Sequence, residues 1–440
     1  MTAQLETLDG LKRKITITVD GAALKKASEK KINDAAGSVQ MKGFRPGKVP
    51  ASVIQQKFGR SILIDAAASL IDSTFKTEIE SQQIKLAGAP QIDFNHEAVK
   101  PGESFQYAAT FEVYPTITLK DLTDVEIESA SGEVTDVDLS AMLIKMRAQH
   151  AEWIVADRAA KLGDRVKIDF DGMLDGKPME NGSAKDHTLE LGSHSMIPGF
   201  EDGIIGMKKD ETKTINVAFP AEYHVESLRS KPVAFTITVH DIQEPKLPPL
   251  DDEFAKKLGV NDGVDALKKQ VMERMQLEMN EKAHANTKEA VLDKLMSLNT
   301  IEVPTALIDM EIQHLQNVTR QQMRQYMGKD AKFDVDKFPL TREPYEVDAK
   351  KRVILGLLLA EVIKNAAITV DPKKVEERLH RIAEQYGDIT QILPIIQKNK
   401  QMIADVEAYV LEEQAVQTLL SKARVSEVKK SYDSIMNSNK

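Results

Sequence analysis

A stiff linker, Pro245-Lys246-Leu247-Pro248-Pro249-Leu250, separates two regimes of pattern in this chain. Its three prolines lock φ and remove three backbone donors, so the stretch cannot be helical. Beyond it, apolar residues recur at helical spacing almost to the end. Helices are predicted over 251–258, 264–298, 304–327, 344–366, 372–386, 389–399 and 401–422. Pro304, Pro344 and Pro372 each stand at a plausible helix start, where a missing N–H costs no hydrogen bond. No fixed period relates these helices, which excludes a solenoid of standard modules. The helix over 264–298 carries Val271, Met275, Leu277 and Met279 among dense charge, which predicts an arm with solvent on much of its surface. Seven of the 17 methionines lie between Met272 and Met327. Adaptable thioethers suit a surface that takes many sequences, and core packing is the competing explanation.

Before the linker the pattern is mixed. Ile15, Ile17 and Val19 alternate as a half-buried strand, and 22–36 is an Ala- and Lys-rich helix. A short helix after Pro50 (51–58) and a longer one over 61–81, with Leu63, Ala67, Leu70, Ile71 and Phe75 at helical spacing, are followed by a closing strand from Phe105 to Val113. Residues 1–115 thus read as an α+β domain and 116–160 as a connector. Within the connector, Thr135-Asp136-Val137-Asp138 has capping-box spacing and opens a helix running to about Trp153. Residues 161–246 switch to short alternating strands with Gly/Pro turns, a small antiparallel β domain, and 247–440 is helical.

Composition removes several chemistries. With no cysteine there is no disulfide, thiolate metal site or cysteine nucleophile. Nine scattered histidines without HExxH, and the lack of a phosphate loop, point to no metal and no cofactor. Met1 to Gly10 is polar and acidic, so no secretory signal is expected, and the longest apolar run, Val353 to Val362, is too short to span a bilayer. The net charge of −9 hides a basic end, since from Asp20 to Arg60 nine Lys/Arg stand against three acids. Such an end suits docking on an anionic surface, although Lys25, Lys26, Lys30 and Lys31 also fit a plain solvated helix face. Within this end, Gly43-Phe44-Arg45-Pro46-Gly47-Lys48-Val49-Pro50 can be neither interior helix nor strand, and it presents Phe44, Arg45 and Lys48 at a loop tip.

That loop resembles the ribosome-docking motif of the trigger factor family, bacterial chaperones at the peptide exit tunnel. The motif there usually reads Gly-Phe-Arg-Lys-Gly-Lys-x-Pro, and here Pro46 replaces one lysine. The middle segment agrees. Gly163-Asp164-x-Val-x-Ile168-Asp169-Phe170, then Met196-Ile197-Pro198-Gly199-Phe200-Glu201, Phe219-Pro220, Tyr223-His224 and Phe235 resemble the FKBP-type peptidyl-prolyl isomerases. Glu412-Glu413-Gln414-Ala415-Val416 and the apolar run at Val353 resemble the trigger factor family's helical region.

The resemblance implies a multidomain α+β chain with three working parts. They are an α+β ribosome-binding domain, an FKBP-like antiparallel β domain, and an extended all-α C-terminal domain with arms, against which the connector packs. By match to the FKBP motif, Phe170, Met196, Ile197, Phe200, Phe219, Tyr223 and Phe235 line a proline-binding hollow, with the Ile197 N–H offered to substrate. Some of these side chains must also serve simply as barrel core. Met179 and His187 stand where that family usually has phenylalanines. By match to the docking motif, Gly43, Phe44, Arg45, Pro46, Gly47 and Lys48 contact ribosomal protein and RNA of the large subunit near the tunnel exit. Partners are then the ribosome and nascent or unfolded polypeptides, without ATP and without a membrane. The location is cytoplasmic and partly ribosome-bound, and dimerisation of the free protein is left open. Two other readings stay open on the residues: a free-standing prolyl isomerase, or a helical scaffold whose basic loop is an ordinary turn.

Overall fold

The computed structural model describes residues 2–39, 44, 49–120, 122, 123, 125–174, 176–223, 225–327, 335 and 338–438, the side chains of 180 and 181 apart. In chain order β1 (Thr2–Thr7), β2 (Lys12–Val19), α1 (Gly21–Ser38), α2 (Ala51–Ser81), β3 (Gln91–Asp93) and β4 (Phe105–Glu112) come first. The strands form an antiparallel sheet ordered β1-β2-β4-β3. Ile15, Ile17, Phe105 and Tyr107 share one core with Ala67, Ile71 and Phe75 of α2. β1 is absent from the sequence-based expectation. All six of its residues are exposed, so backbone pairing with β2 holds it and no buried alternation marks it. The two helices expected after Pro50 are one 31-residue helix. Gly59 inside it costs about 1 kcal/mol against alanine, but no proline or cap interrupts the run and its apolar face is packed from Leu63 to Ile79.

β5 (Glu126–Ser131), α3 (Asp136–Gln149) and β6 (Glu152–Val155) follow. The capping box forms as expected: the Asp138 N–H donates to the Thr135 hydroxyl at 3.3 Å, and the Thr135 N–H to the Asp138 carboxylate at 2.9 Å. The helix stops at Gln149, short of Trp153, whose ring lies on β6 with the Arg165 guanidinium 3.9 Å from its centroid.

Next come β7 (Arg165–Leu174), β8 (Lys177–Glu190), α4 (Phe200–Ile204), β9 (Thr212–Ala218) and β10 (Pro232–Lys246). β10 is the spine, antiparallel to β6, β7 and β9, with β8 beside β7. It takes in Pro245, which pairs with Trp153, so the first residues of the expected linker belong to the sheet. Val233, Phe235, Ile237 and Val239 point alternately into the core. A bulge between Val239 and Asp241 shifts the alternation by one, and Ile242 faces the core again.

The helices α5 (Asp252–Lys257), α6 (Val264–Leu298), α7 (Thr305–Met327), α8 (Glu343–Asn365), α9 (Pro372–Tyr386), α10 (Ile389–Lys398) and α11 (Lys400–Lys422) lie within one residue of the expected ends. Beyond the last expected helix come a strand β11 (Arg424–Lys429) and a short helix α12 (Tyr432–Met436), where no element was predicted.

The chain forms two compact units, 1–128 with 286–426, and 129–285 with 427–440. Besides the sheet-and-helix core, the first unit packs Leu122 and Ile127 with Val291, Leu358 and Val416. There the Lys288 ammonium sits 2.9 Å from Glu412 and 2.6 Å from Glu413. Burial alone would push this amine down, but the bonds to Glu413 and Glu412 outweigh it and hold it above the usual lysine range. In the second unit Met279 packs with Ala283 and Ile435. Met275 is buried too, so core packing accounts for these two arm methionines, while Leu277 between them is 58% exposed.

Candidate active site

Two strands, one short helix and two loops of the second unit bring seven side chains around one hollow. Phe170 comes from β7, Phe200 from α4 and Phe235 from β10. Their ring centroids are 5.5 Å (Phe170–Phe200), 5.9 Å (Phe170–Phe235) and 5.1 Å (Phe200–Phe235) apart, all edge to face. Such pairs add roughly 0.5–1.5 kcal/mol each beyond their burial. Glycine at 172 is what lets the strands close here, since a Cβ would lie 2.7 Å from the Phe235 ring. Phe219 and Tyr223, 4.6 Å apart, form a second aromatic pair after β9. Met196 and Ile197 come from the loop before α4.

All seven sequence-named residues line a single hollow of about 1280 Å³. Of the two departures from the aromatic pattern, Met179 lines it as well. His187 does not; it stands edge-on to Phe170 at 5.8 Å. Among the described residues the Ile197 N–H has no hydrogen-bond partner, so the expected donor is unspent. The described lining holds no carboxylate or imidazole, only Lys177 and hydroxyls beside the apolar side chains. A site of this kind can grip and desolvate an apolar ring, a task that calls for no proton transfer.

Sequence reasoning named Glu201 within a motif but gave it no role. Only 7% exposed, its carboxylate accepts the N–H groups of Gly192, His194, Ser195 and Met196 at 2.7, 3.2, 3.0 and 3.3 Å. It thereby pins the whole loop that delivers Met196 and Ile197. Burial pushes this carboxyl up, yet the four backbone bonds outweigh it and hold it below the usual range. The one signal in the sequence is an acid directly after Phe200. At the start of the sheet, Asp164 is likewise buried and paired with Arg158, which also holds Glu244 at 2.7 Å.

The docking loop is a different case. Gly43, Arg45, Pro46, Gly47 and Lys48 lie outside the described residues; Phe44 sits on a bend, 38% exposed. Lys25, Lys26 and Lys30 are exposed along α1, as the solvated-face explanation expects. No group of three or more His, Cys, Asp or Glu suited to a metal occurs among the described residues, and none of their helices is long and apolar enough to cross a membrane.

A small antiparallel sheet packed on one short helix around an aromatic hollow, with no carboxylate or imidazole among the described lining residues, defines the FKBP class of peptidyl-prolyl isomerases. The family profile described as FKBP-type peptidyl-prolyl cis-trans isomerase matches residues 156–240. On either side, the profiles of bacterial trigger factor protein and of its C-terminus match residues 1–146 and 263–421. The trigger factor of Coxiella burnetii is 43% identical over 426 residues, 97% of this chain and 96% of the relative. That of Pseudoalteromonas atlantica is 38% identical over 439 residues, 99% of each. That of Cellvibrio japonicus is 38% identical over 439 residues, 100% of this chain and 99% of the relative. The chain belongs to the trigger factor family. It is a ribosome-associated chaperone that also carries peptidyl-prolyl isomerase activity.

Proposed function

We propose that Phe170, Met196, Ile197, Phe200, Phe219, Tyr223 and Phe235 grip the proline of an X-Pro bond and ease its rotation. An X-Pro amide rotates over a barrier of roughly 20 kcal/mol because resonance must be broken. A dry hollow disfavours the polar planar amide relative to its twisted form. The aromatic walls hold the ring, and the Ile197 N–H donates to the substrate carbonyl. The observation that carries this is the convergence of all seven on one hollow. The test is turnover of an X-Pro peptide by the full chain: Phe200→Leu should lower it several-fold with circular dichroism unchanged. Equal turnover would remove the hollow from the mechanism.

The working parts divide as 1–115 for docking, 116–160 as connector, 161–246 for isomerisation and 247–440 for the chaperone body; the profiles matching 156–240 and 263–421 support the last two parts. Docking at the tunnel exit uses Gly43 to Lys48, with Arg45 and Lys48 toward RNA phosphates and Phe44 toward ribosomal protein, in the cytoplasm. Clients meet exposed apolar side chains of the helices, among them Met310, Tyr326, Val347 and Ile395. Ribosome co-sedimentation should fall with rising salt and be lost in a Phe44→Ala, Arg45→Ala variant. Sedimentation velocity on the ribosome-free chain reads out pairing of two copies.

A further inference from the structure

We propose that Met179 and Met196 are paired modification sites at which a peroxide reversibly switches the isomerase off. The switch presupposes the proline-gripping role proposed for the hollow. With no cysteine in the chain, methionine is its only sulfur. What singles out these two is access combined with consequence. Met207, Met275 and Met279 are at most 2% exposed and shielded from solvent. Met173 and Met310 are 45% and 58% exposed, but they do not line the hollow. Met179 and Met196 are half-buried and line it, where any solute that enters meets their thioethers. Both also lie close to elements that cannot yield easily. A Cβ at Gly182 would fall 2.4 Å from the Met179 Cε and 2.8 Å from its Cβ, so this side chain lies against the β8 backbone. The Met196 N–H is tied to the Glu201 carboxylate at 3.3 Å.

The chemistry is a two-electron oxygen transfer. A sulfur lone pair attacks the peroxide, the S–O bond forms as the O–O bond breaks, and the departing oxygen leaves as water after proton transfer. Sulfur is oxidised to the sulfoxide and hydrogen peroxide is reduced. An apolar, flexible side chain becomes a polar one at the wall that must hold a proline ring. Burying that dipole under substrate without a matched donor disfavours binding, for an expected loss of about tenfold in kcat/KM, chiefly through KM.

The test treats the full-length protein with graded hydrogen peroxide, quenches with free methionine, maps sulfoxides by peptide mass spectrometry and measures X-Pro turnover. Loss of activity should track sulfoxide at 179 and 196 and be restored by methionine sulfoxide reductase with a thiol reductant. A Met179→Leu, Met196→Leu variant should keep its own untreated turnover through the same exposure. Complete sulfoxide at both positions with unchanged turnover, or an equal fractional loss in the double leucine variant, overturns the switch. Phe200→Leu run alongside separates the two failures. If it is impaired while the oxidised protein is not, only the switch falls; if it too matches wild type, the hollow is not the active site and both fall.

Discussion

Phe200 and Ile395 are both large apolar side chains within two residues of a preceding proline, Pro198 and Pro394, and they meet opposite fates. Phe200 is fully buried at the heart of the hollow, whereas Ile395, on α10 beside Pro394, is 66% exposed. The difference extends to their surroundings. Around Phe200 the apolar surface turns inward, ring edge to ring face, and the Glu201 carboxylate ties the neighbouring loop. On the helices, Tyr326, Val347, Tyr386 and Ile395 stand outward, each more than half exposed, with charged residues between them. One region holds a single proline in one geometry. The other offers many small contacts, none demanding a particular partner, which suits weak hold on unfolded chains.

Truncating the two side chains should separate the regions most sharply. Phe200→Ala removes a fully buried ring from a packed core and should cost about 3–5 kcal/mol, seen as a lower urea midpoint for the transition that isomerase activity follows. Lys288→Ala removes the cation that Glu412 and Glu413 share in a half-buried setting. It should destabilise the first unit by about 2–3 kcal/mol while X-Pro turnover stays at wild-type level. Glu201→Gln should cost about 2 kcal/mol, since charge-assisted bonds to four amides become neutral ones. The pH dependence has a defined sign. A carboxyl held low when folded contributes stability fully present above its unfolded pKa, about 4.3, and lost as pH falls through the lower folded value. The wild-type advantage over Glu201→Gln should therefore shrink in that acid window, and an advantage independent of pH would refute the role of its charge. Smallest in stability is Ile395→Ser, within about 0.5 kcal/mol, yet it should measurably weaken suppression of aggregation by a denatured client. Unchanged suppression after Ile395→Ser and Tyr326→Ser together would leave the outward side chains without that task.

The helices after the linker were legible because apolar residues recur at helical spacing and prolines at 304, 344 and 372 mark three of the starts. The hollow was legible because aromatic residues at fixed motif positions have few other uses in so small a sheet. What escaped lacked a local signal. β1 buries nothing, and β11 has its valines only half covered or exposed, so pairing with a distant partner decides both. Trp153 left the expected helix for a strand because Arg165 stacks on its ring and β10 pairs beside it, contacts that only the fold brings about. Glu201 stood in plain view in the motif, but its worth depends on four amides converging in space.

The order of the chain itself has a consequence for how the protein is made. Residues 129–285 interrupt the first unit, whose core needs Leu122 and Ile127 from before the interruption and Val291, Leu358 and Val416 from after it. As the polypeptide leaves the ribosome, the β1–β4 sheet and the isomerase sheet can each close from residues near one another in sequence. Leu122 and Ile127 must wait for α6 to bring their first distant partners, and their core is complete only once α11 has been synthesised. Contacts between residues so far apart form late, because a long loop must be closed before any of them is rewarded. During its own synthesis this folding helper therefore passes through a stage in which its apolar residues await partners, much as its clients do.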